Sequence, residues 1–192
     1  MRLAIYGGTF DPVHEAHLAV ARQAAERFHL DRVLFVPAAR PPHKAGITRA
    51  GYEDRVRMLE LACRGREGFE VSRLEEGTAR SYSIDTILKV RARLAPGDEL
   101  FFIIGADAFA EIETWLRWQE VVRAVCFIVV SRPGHLYHVP EGTSVERLDS
   151  LELTVSSSQI RRALAAGSRP GELPPPVLDY ILRHDLYARV PV

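Results

Sequence analysis

The fold of this chain is decided by residues 3–17, which run Leu-Ala-Ile-Tyr-Gly-Gly-Thr-Phe-Asp-Pro-Val-His-Glu-Ala-His. The first four residues are apolar, as in a buried strand. Gly7 and Gly8 let the backbone come close to a ligand and adopt angles that a Cβ would forbid, and Pro12 suits the first turn of a helix. We therefore expect a strand, a glycine turn and a helix in that order.

The start of the predicted helix has the properties of an anion-binding site. Its unpaired N–H groups and the positive end of its dipole would face the end of the strand. His14 and His17, three residues apart on one face, could hold triphosphate oxygens and stabilise a leaving pyrophosphate. Either histidine alone is more simply interpreted as solvated or capping, and a zinc pair would need further ligands at the right spacing. The combination of a strand, a glycine turn and two histidines at the start of a helix favours a phosphate site.

Length, charge and composition narrow the class of protein. The 192 residues suffice for one well-packed domain, and the 25 basic and 25 acidic residues cancel, so no overall field favours nucleic acid or an anionic membrane. The chain has no basic-then-apolar leader and no apolar run near the length that spans a bilayer. Cys63 and Cys126 lie far apart in apolar segments, which is typical of buried thiols in a reducing compartment. We expect a cytoplasmic protein.

Apolar bursts alternate with segments of helical period along the chain. This alternation predicts an α/β protein with a Rossmann-like, doubly wound parallel sheet and a small C-terminal helical cap from about residue 156, so that residues 1–192 form one domain. The predicted strands are 3–6, 33–36, 69–71, 100–104 and 126–130, and the predicted cap helices are 158–166 and 176–183. The apolar stripes of the first three helices comprise Leu18, Ala21, Ala25 and Phe28, then Val56, Leu59 and Cys63, then Ile84, Ile87 and Leu88.

Polar segments follow several of these strands, at the edge where a doubly wound sheet binds ligands. The segment 37–44 is too rich in proline for a helix and ends on Lys44, which could clamp phosphates, although such a segment alone is more often a solvated turn. Gly105 and Asp107 follow the most apolar strand, where a buried acid would need a functional reason and could accept hydrogen bonds from ribose. Arg132 follows the fifth strand and is, on its own, an exposed turn residue.

Three further segments carry polar or aromatic candidates. Ser157, Ser158 and Arg161 open a helix of the cap, where a capping role is the simple interpretation and β- and γ-phosphate binding is the functional one. Residues 81–86 precede the third helix and also have a capping pattern. Trp115 and Trp118 supply indoles, which more often fill cores than stack on ligands.

These segments together resemble the (H/T)xGH nucleotidyltransferase superfamily, and GGTFDPVHEAH resembles the longer motif of bacterial nicotinate-nucleotide adenylyltransferases. That family usually has glycine where this chain has Ala16. Similar motifs recur as PPHK at 41–44, SYSIDT at 81–86, GAD at 105–107 and VSSSQIR at 155–161, with Ser83, Val155 and Ser158 as conservative replacements.

The resemblance implies an enzyme that transfers AMP from ATP to nicotinate mononucleotide, giving nicotinate adenine dinucleotide (deamido-NAD) and pyrophosphate. The mononucleotide phosphate is already anionic, so no general base or covalent intermediate is required. His14, His17, Lys44 and Arg161 would be catalytic. The implied ATP-binding residues are Gly7, Gly8, Thr9, Phe10, His14, His17, Lys44, Gly105, Asp107, Ser157, Ser158 and Arg161.

The same resemblance assigns the acceptor to Tyr82, Ser83, Trp115 and Arg132. Mg²⁺ would be carried with ATP, since the sequence offers no carboxylate cluster for a dedicated metal site. The nearest alternative is an adenylyltransferase that acts on nicotinamide mononucleotide or another phosphate acceptor. An NAD-dependent oxidoreductase would need a GxGxxG turn, and a non-catalytic nucleotide-binding protein would not need both histidines. A homo-oligomer stays open as the assembly state.

Overall fold

The computed structural model describes residues 1–40, 48–78, 80–132, 134–150 and 155–188. Within these ranges six strands form one parallel sheet in the order β3-β2-β1-β4-β5-β6. The chain order reverses between β1 and β4, which is the point where a doubly wound sheet opens a ligand-binding crevice. The predicted fold class is therefore confirmed. The strands are β1 (Arg2–Gly8), β2 (Arg32–Pro37), β3 (Phe69–Val71), β4 (Glu99–Gly105), β5 (Cys126–Ser131) and β6 (Ser144–Asp149).

Helices cover both faces of the sheet. Because both faces are buried, β4 has a continuous apolar run at 100–104, in which alternate residues contribute to two separate cores. One core includes side chains of α1, α2, α6 and α7, and the other those of α3, α4 and α5. The helices are α1 (Glu15–Phe28), α2 (Tyr52–Cys63), α3 (Ser83–Arg91), α4 (Ala106–Ala110), α5 (Trp118–Ala124), α6 (Ser157–Ala165) and α7 (Pro175–Arg183).

The structure corrects two local predictions and adds one strand. The first helix begins at Glu15 with His14 as its N-cap, so Pro12 lies in the preceding turn and not in the first helical turn. Leu88 is 42% exposed, because the buried face of α3 continues through Val90 instead. Strand β6 was not predicted, since its exposed, polar sequence at the sheet edge lacks an apolar run.

The helices formed by the described residues include none that is both long and apolar enough to cross a membrane. Cys63 is buried and Cys126 is half-buried, and neither forms a disulfide. Burial raises the pKa of the Cys63 thiol to about 12, so it is protonated and packs as a small apolar group.

Candidate active site

Residues 7–14, here called the signature turn, connect β1 to α1. An ideal Cβ on Gly8 would lie 3.0 Å from Cζ of Phe10, and one on Gly7 would lie 3.3 Å from Cζ of Phe102. The left-handed conformation in this turn belongs to Phe10, with φ of 48°, and not to either glycine. The prediction that the glycines supply forbidden backbone angles is therefore wrong; they are needed because aromatic rings pack directly against the backbone.

A buried arginine holds the signature turn to the neighbouring strand. Arg55 of α2 is only 1% exposed, and its Nη1 donates to the carbonyls of Thr9 and Ala38, both at 2.8 Å. These carbonyls lie beyond the ends of β1 and β2, so they lack partners from the sheet ladder. Burial lowers the pKa of the guanidinium, with the Asp11 carboxylate acting in the opposite direction. Arg55 thus joins the two loops that border the crevice.

The N-terminal turn of α6 also forms hydrogen bonds with the signature turn. Oγ of Ser157 donates to the carbonyl of Pro12 at 3.0 Å, and Nη1 of Arg161 donates to the carbonyl of Asp11 at 2.6 Å. Nη2 of Arg161 also donates to Oγ of Ser158 at 3.1 Å. These bonds bring the residues of two separate sequence motifs, at 7–14 and 155–161, into one site.

Asp11 is a buried carboxylate at the centre of this arrangement, with 2% exposure. Its Oδ2 accepts from the N–H of Arg49 at 2.8 Å, and its Oδ1 accepts from the N–H of Ala50 at 3.1 Å and from Oη of Tyr187 at 2.7 Å. Nη1 of Arg161 lies 3.9 Å from Oδ2. Burial and the nearby Asp11 raise the pKa of Tyr187, which therefore remains a hydrogen-bond donor.

The two histidines of the signature motif are stacked. Their ring centroids lie 3.8 Å apart with an interplanar angle of 34°, and Nδ1 of His17 accepts from the backbone N–H of His14 at 3.2 Å. Burial lowers the pKa of His14 to about 4; burial, and then the charge of His14, lower the pKa of His17 well below its usual value. Both rings are therefore neutral at pH 7. With Nδ1 acting as acceptor, the proton of His17 resides on Nε2.

The N–H groups at the start of α1 are less available than predicted. The N–H of Glu15 donates to the carbonyl of Glu172 at 2.8 Å, and that of His14 is used by His17. The chain segment before α7 thus takes one of the groups expected to bind phosphate. The imidazoles and α6 remain as donors at this position.

A cavity of about 420 Å³ joins these groups. Its walls include Thr9 and Asp11 of the signature turn, the histidine pair, and the start of α6. The predicted residues that it brings together are Thr9, His14, His17, Ser157, Ser158 and Arg161. They present neutral imidazole and hydroxyl donors and one guanidinium, which is a donor set suited to a polyphosphate.

A second cavity of about 580 Å³ lies over the carboxyl ends of β1 and β4. Trp115 forms one wall and meets the ring of Phe102 edge-on, with centroids 6.1 Å apart. Tyr82 is the N-cap of α3 and Ser83 its first residue. The predicted residues that line this cavity are Gly7, Gly8, Thr9, Tyr82, Ser83, Gly105 and Trp115. Tyr6 and Thr9 line both cavities, so the two adjoin.

Several predicted site residues are not among those that line the two cavities. Phe10 is 1% exposed and packs beneath His17, with ring centroids 5.1 Å apart. Asp107 is exposed in the first turn of α4, so the expectation of a buried acid there is wrong: the chain turns into the helix directly after β4. Arg132 is exposed after β5. Lys44 lies outside the described residues.

Sequence reasoning missed three buried charged residues of the site: Asp11, Arg55 and Glu75. The carboxylate of Glu75 lines the larger cavity and accepts from Oγ1 of Thr86 at 2.7 Å and from the N–H of Ala39 at 3.3 Å. The sequence could have indicated the burial of Arg55, because this residue falls within the apolar stripe of α2 beside Val56 and Leu59. Glu75 carried none.

Comparison with known proteins gives the class. The profile of the cytidylyltransferase-like family matches residues 5–163, and the chain belongs to that family of nucleotidyltransferases. The "Probable nicotinate-nucleotide adenylyltransferase" of Solibacter usitatus is 70% identical over 187 residues, covering 97% of this chain and 100% of that protein. The Thermus thermophilus protein of the same name is 44% identical over 190 residues, covering 97% and 100%. Within its class, the chain is therefore a member of the nicotinate-nucleotide adenylyltransferase family.

A solved structure has the same architecture. The Plasmodium falciparum nicotinic acid mononucleotide adenylyltransferase complexed with NaAD matches with a TM-score of 0.77 and 21% identity, covering 97% of each chain. At that identity the likeness supports the fold, while the family rests on the closer sequence relatives.

Proposed function

We propose that this enzyme transfers AMP from ATP to nicotinate mononucleotide, producing nicotinate adenine dinucleotide and pyrophosphate. The observation that carries the proposal is the pair of adjoining cavities at the end of β1. One presents donors suited to a triphosphate, and the other offers an indole and a helix N-terminus. Two substrates in these cavities would meet beside Thr9, which lines both.

In the smaller cavity, the site residues would stabilise the charge that develops on the leaving pyrophosphate. His17 is oriented by the N–H of His14 so that Nε2–H is available as a donor. Arg161 adds a permanent positive charge to the same cavity. Because these donors are already held by the fold, little reorganisation is needed as the negative charge shifts to pyrophosphate.

In the larger cavity, the acceptor would be recognised by its pyridine ring and its carboxylate. Trp115 offers a face for stacking. The N–H groups of Ser83 and Ile84 precede the first intrahelical bond of α3, which Asp85 donates to the carbonyl of Tyr82. A carboxylate is favoured over a neutral amide at such an N-terminus by charge. This contrast supports nicotinate over nicotinamide mononucleotide.

The chemistry would be a direct in-line displacement. The mononucleotide phosphate attacks the α-phosphorus of ATP, the bond to the bridging oxygen breaks, and pyrophosphate leaves with its electron pair. No general base is required, so positioning and charge stabilisation supply the rate. Nucleotidyl transfer from ATP generally uses a divalent metal ion, and we propose Mg²⁺ as MgATP. Among the residues described, no three His, Cys, Asp or Glu side chains cluster as a metal site.

Three further residue assignments belong to this proposal. Gly105 and Asp107 lie at the end of β4 and Arg132 at the end of the adjacent β5, so they share the crevice edge of the sheet. Asp107 would accept hydrogen bonds from ribose, Arg132 would contact the mononucleotide, and Lys44 would bind ATP phosphates.

The test is pyrophosphate release from MgATP with nicotinate mononucleotide or nicotinamide mononucleotide at equal concentrations. The proposal expects a strong preference for the acid. Preference for the amide would retain the adenylyl transfer and overturn the acceptor. Absence of release with both would overturn the reaction on pyridine mononucleotides.

A further inference from the structure

The end of the described chain contacts the signature turn. Oη of Tyr187 donates to Oδ1 of Asp11 at 2.7 Å, although the two residues are 176 positions apart. Tyr187 lies just beyond α7, and both Asp185 and Tyr187 have left-handed backbone conformations, with φ of 49° and 64°. Such conformations are unfavourable for residues with a bulky side chain and persist where surrounding contacts hold them.

Asp11, whose carboxylate accepts from Tyr187, is one of the residues that line the proposed triphosphate cavity. A negative charge beside a polyanion site is unfavourable unless it is neutralised locally. The described residues supply two backbone N–H groups, the Tyr187 hydroxyl and the Arg161 guanidinium to this carboxylate. Two cations lie near this carboxylate, and one of them, Arg55, is held by the carbonyls of Thr9 and Ala38. If one neutral donor were removed, the other cation would be drawn more strongly to the buried oxygen.

Arg161 is the cation in question, and it has competing partners. Its Nη1 donates to the carbonyl of Asp11 at 2.6 Å but is 3.9 Å from the carboxylate Oδ2, and its Nη2 donates to Ser158. The guanidinium is therefore held next to the carboxylate without a close ion pair. That arrangement leaves its charge partly available to the cavity.

We propose that Tyr187 is a positioning residue for the ATP subsite: by donating to Asp11, it satisfies the carboxylate and keeps Arg161 directed at the triphosphate. The inference rests on the proposed function, because it takes the smaller cavity as the ATP site. The segment after α7 thereby serves the chemistry of a site built mainly at the other end of the chain.

The chain offers a matched control for this bond. Oη of Tyr180, on α7, donates to Oδ1 of Asp54, on α2, at 2.9 Å. This is the same tyrosine-to-aspartate bond from the same C-terminal part of the chain, but neither residue lines the two site cavities. A purely structural role of Tyr187 would make loss of either hydroxyl a change in stability without a selective change in the KM for ATP.

The experiment compares Tyr187→Phe and Tyr180→Phe in steady-state pyrophosphate release and in urea unfolding. We expect Tyr187→Phe to raise the KM for ATP about tenfold, the size of effect of a hydrogen bond to a charged group, with a smaller change in the KM for the mononucleotide. Tyr180→Phe should leave both KM values unchanged and lower stability less, because its acceptor Asp54 is less buried than Asp11. Equal kinetics for the two variants would overturn the inference.

A double-variant cycle tests whether Tyr187 acts through Arg161. In an Arg161→Ala background, Tyr187→Phe should have no further effect on the KM for ATP; a full additive effect would contradict the inference. Equilibrium binding of ATP to the same four proteins separates this inference from the proposed function. Weaker ATP binding by Tyr187→Phe would support the positioning role even if the wild type released no pyrophosphate with nicotinate mononucleotide.

Discussion

The backbone N–H of His14 donates to Nδ1 of His17 at 3.2 Å, and this bond determines which nitrogen of His17 can serve the substrate. With Nδ1 occupied as an acceptor, a neutral His17 carries its proton on Nε2 and can donate it to a phosphate oxygen. His14 is both the N-cap of α1 and the residue that orients its partner. The three-residue spacing of the motif thus has a specific structural cause.

Replacement of His17 by alanine should lower kcat far more than it raises the KM for ATP. The side chain is proposed to bind most strongly when charge builds on the leaving pyrophosphate, and loss of one such donor costs roughly 10²-fold in turnover. Steady-state kinetics measure both constants, with His138→Ala, at an exposed position, as the control. An unchanged kcat would contradict a catalytic role of His17.

The stability of the unliganded enzyme should fall as the pH is lowered from 6.5 toward 4. The pKa of His14 is about 4 in the folded protein against an ordinary 6.5, so the unfolded chain binds more protons in this window and acid favours unfolding. His14→Gln should reduce this pH dependence by about 2.5 kcal/mol between pH 7 and pH 4.5. The measurement is urea unfolding of both proteins at pH 7 and pH 4.5. A constant difference between the two proteins would contradict the assignment.

The preference for the acid substrate should depend on the backbone N–H of Ser83. Ser83 is the first residue of α3 and follows an extended Tyr82, with φ of −95° and ψ of 128°, so proline fits there and removes the backbone donor together with the Ser83 hydroxyl. Ser83→Pro should raise the KM for nicotinate mononucleotide about tenfold, as expected for a charge-assisted hydrogen bond, and Ser83→Ala should not. If both variants kept the wild-type preference, the carboxylate would have to bind elsewhere.

Trp115 should report binding of the pyridine substrate. The chain contains two tryptophans, so Trp118→Phe leaves Trp115 as the sole indole. We expect nicotinate mononucleotide to change the fluorescence of that variant, and Trp115→Ala to raise the KM for the mononucleotide roughly tenfold with little effect on the KM for ATP. Fluorescence that is insensitive to saturating mononucleotide would argue against stacking.

Arg55 should be important for folding, in contrast to a neighbouring arginine of the same helix. Arg55→Met removes both bonds to the carbonyls of Thr9 and Ala38 and should lower the free energy of unfolding by about 3 kcal/mol. Arg57 is exposed and pairs with Glu60 at 3.1 Å, so Arg57→Met should cost less than about 0.5 kcal/mol. Chemical denaturation measures both changes. Equal losses would show that the buried bonds contribute little.

The positions at which ligand-binding segments occur could be predicted because they depend on local order along the chain. Apolar runs predicted β1 to β5, and the carboxyl ends of parallel strands meet at one edge, which brings residues 7–14 and 105–107 to the same crevice. The start of α6 was predicted within one residue for a similar reason, since Ser156 forms a capping box with Gln159 three residues later.

The roles of the buried charges depended on tertiary structure. Asp11 accepts hydrogen bonds from residues 38, 39 and 176 positions away, and Glu75 reaches Ala39 across 36 positions. No local pattern encodes such partners, because a carboxylate is used according to which donors are buried around it in the folded chain. The local sequence also did not predict β6, because a strand at the edge of the sheet can be exposed and polar.

The sequence by itself therefore determined the α/β fold, the family and the segments that surround the crevice, because hydrophobic periodicity and short motifs act over a few residues. Tertiary structure alone decided which nitrogen of His17 carries the proton, how Arg161 is held and how Tyr187 comes to donate to Asp11. Those properties arise from hydrogen bonds and burial between distant segments, which come into existence only when the chain is folded.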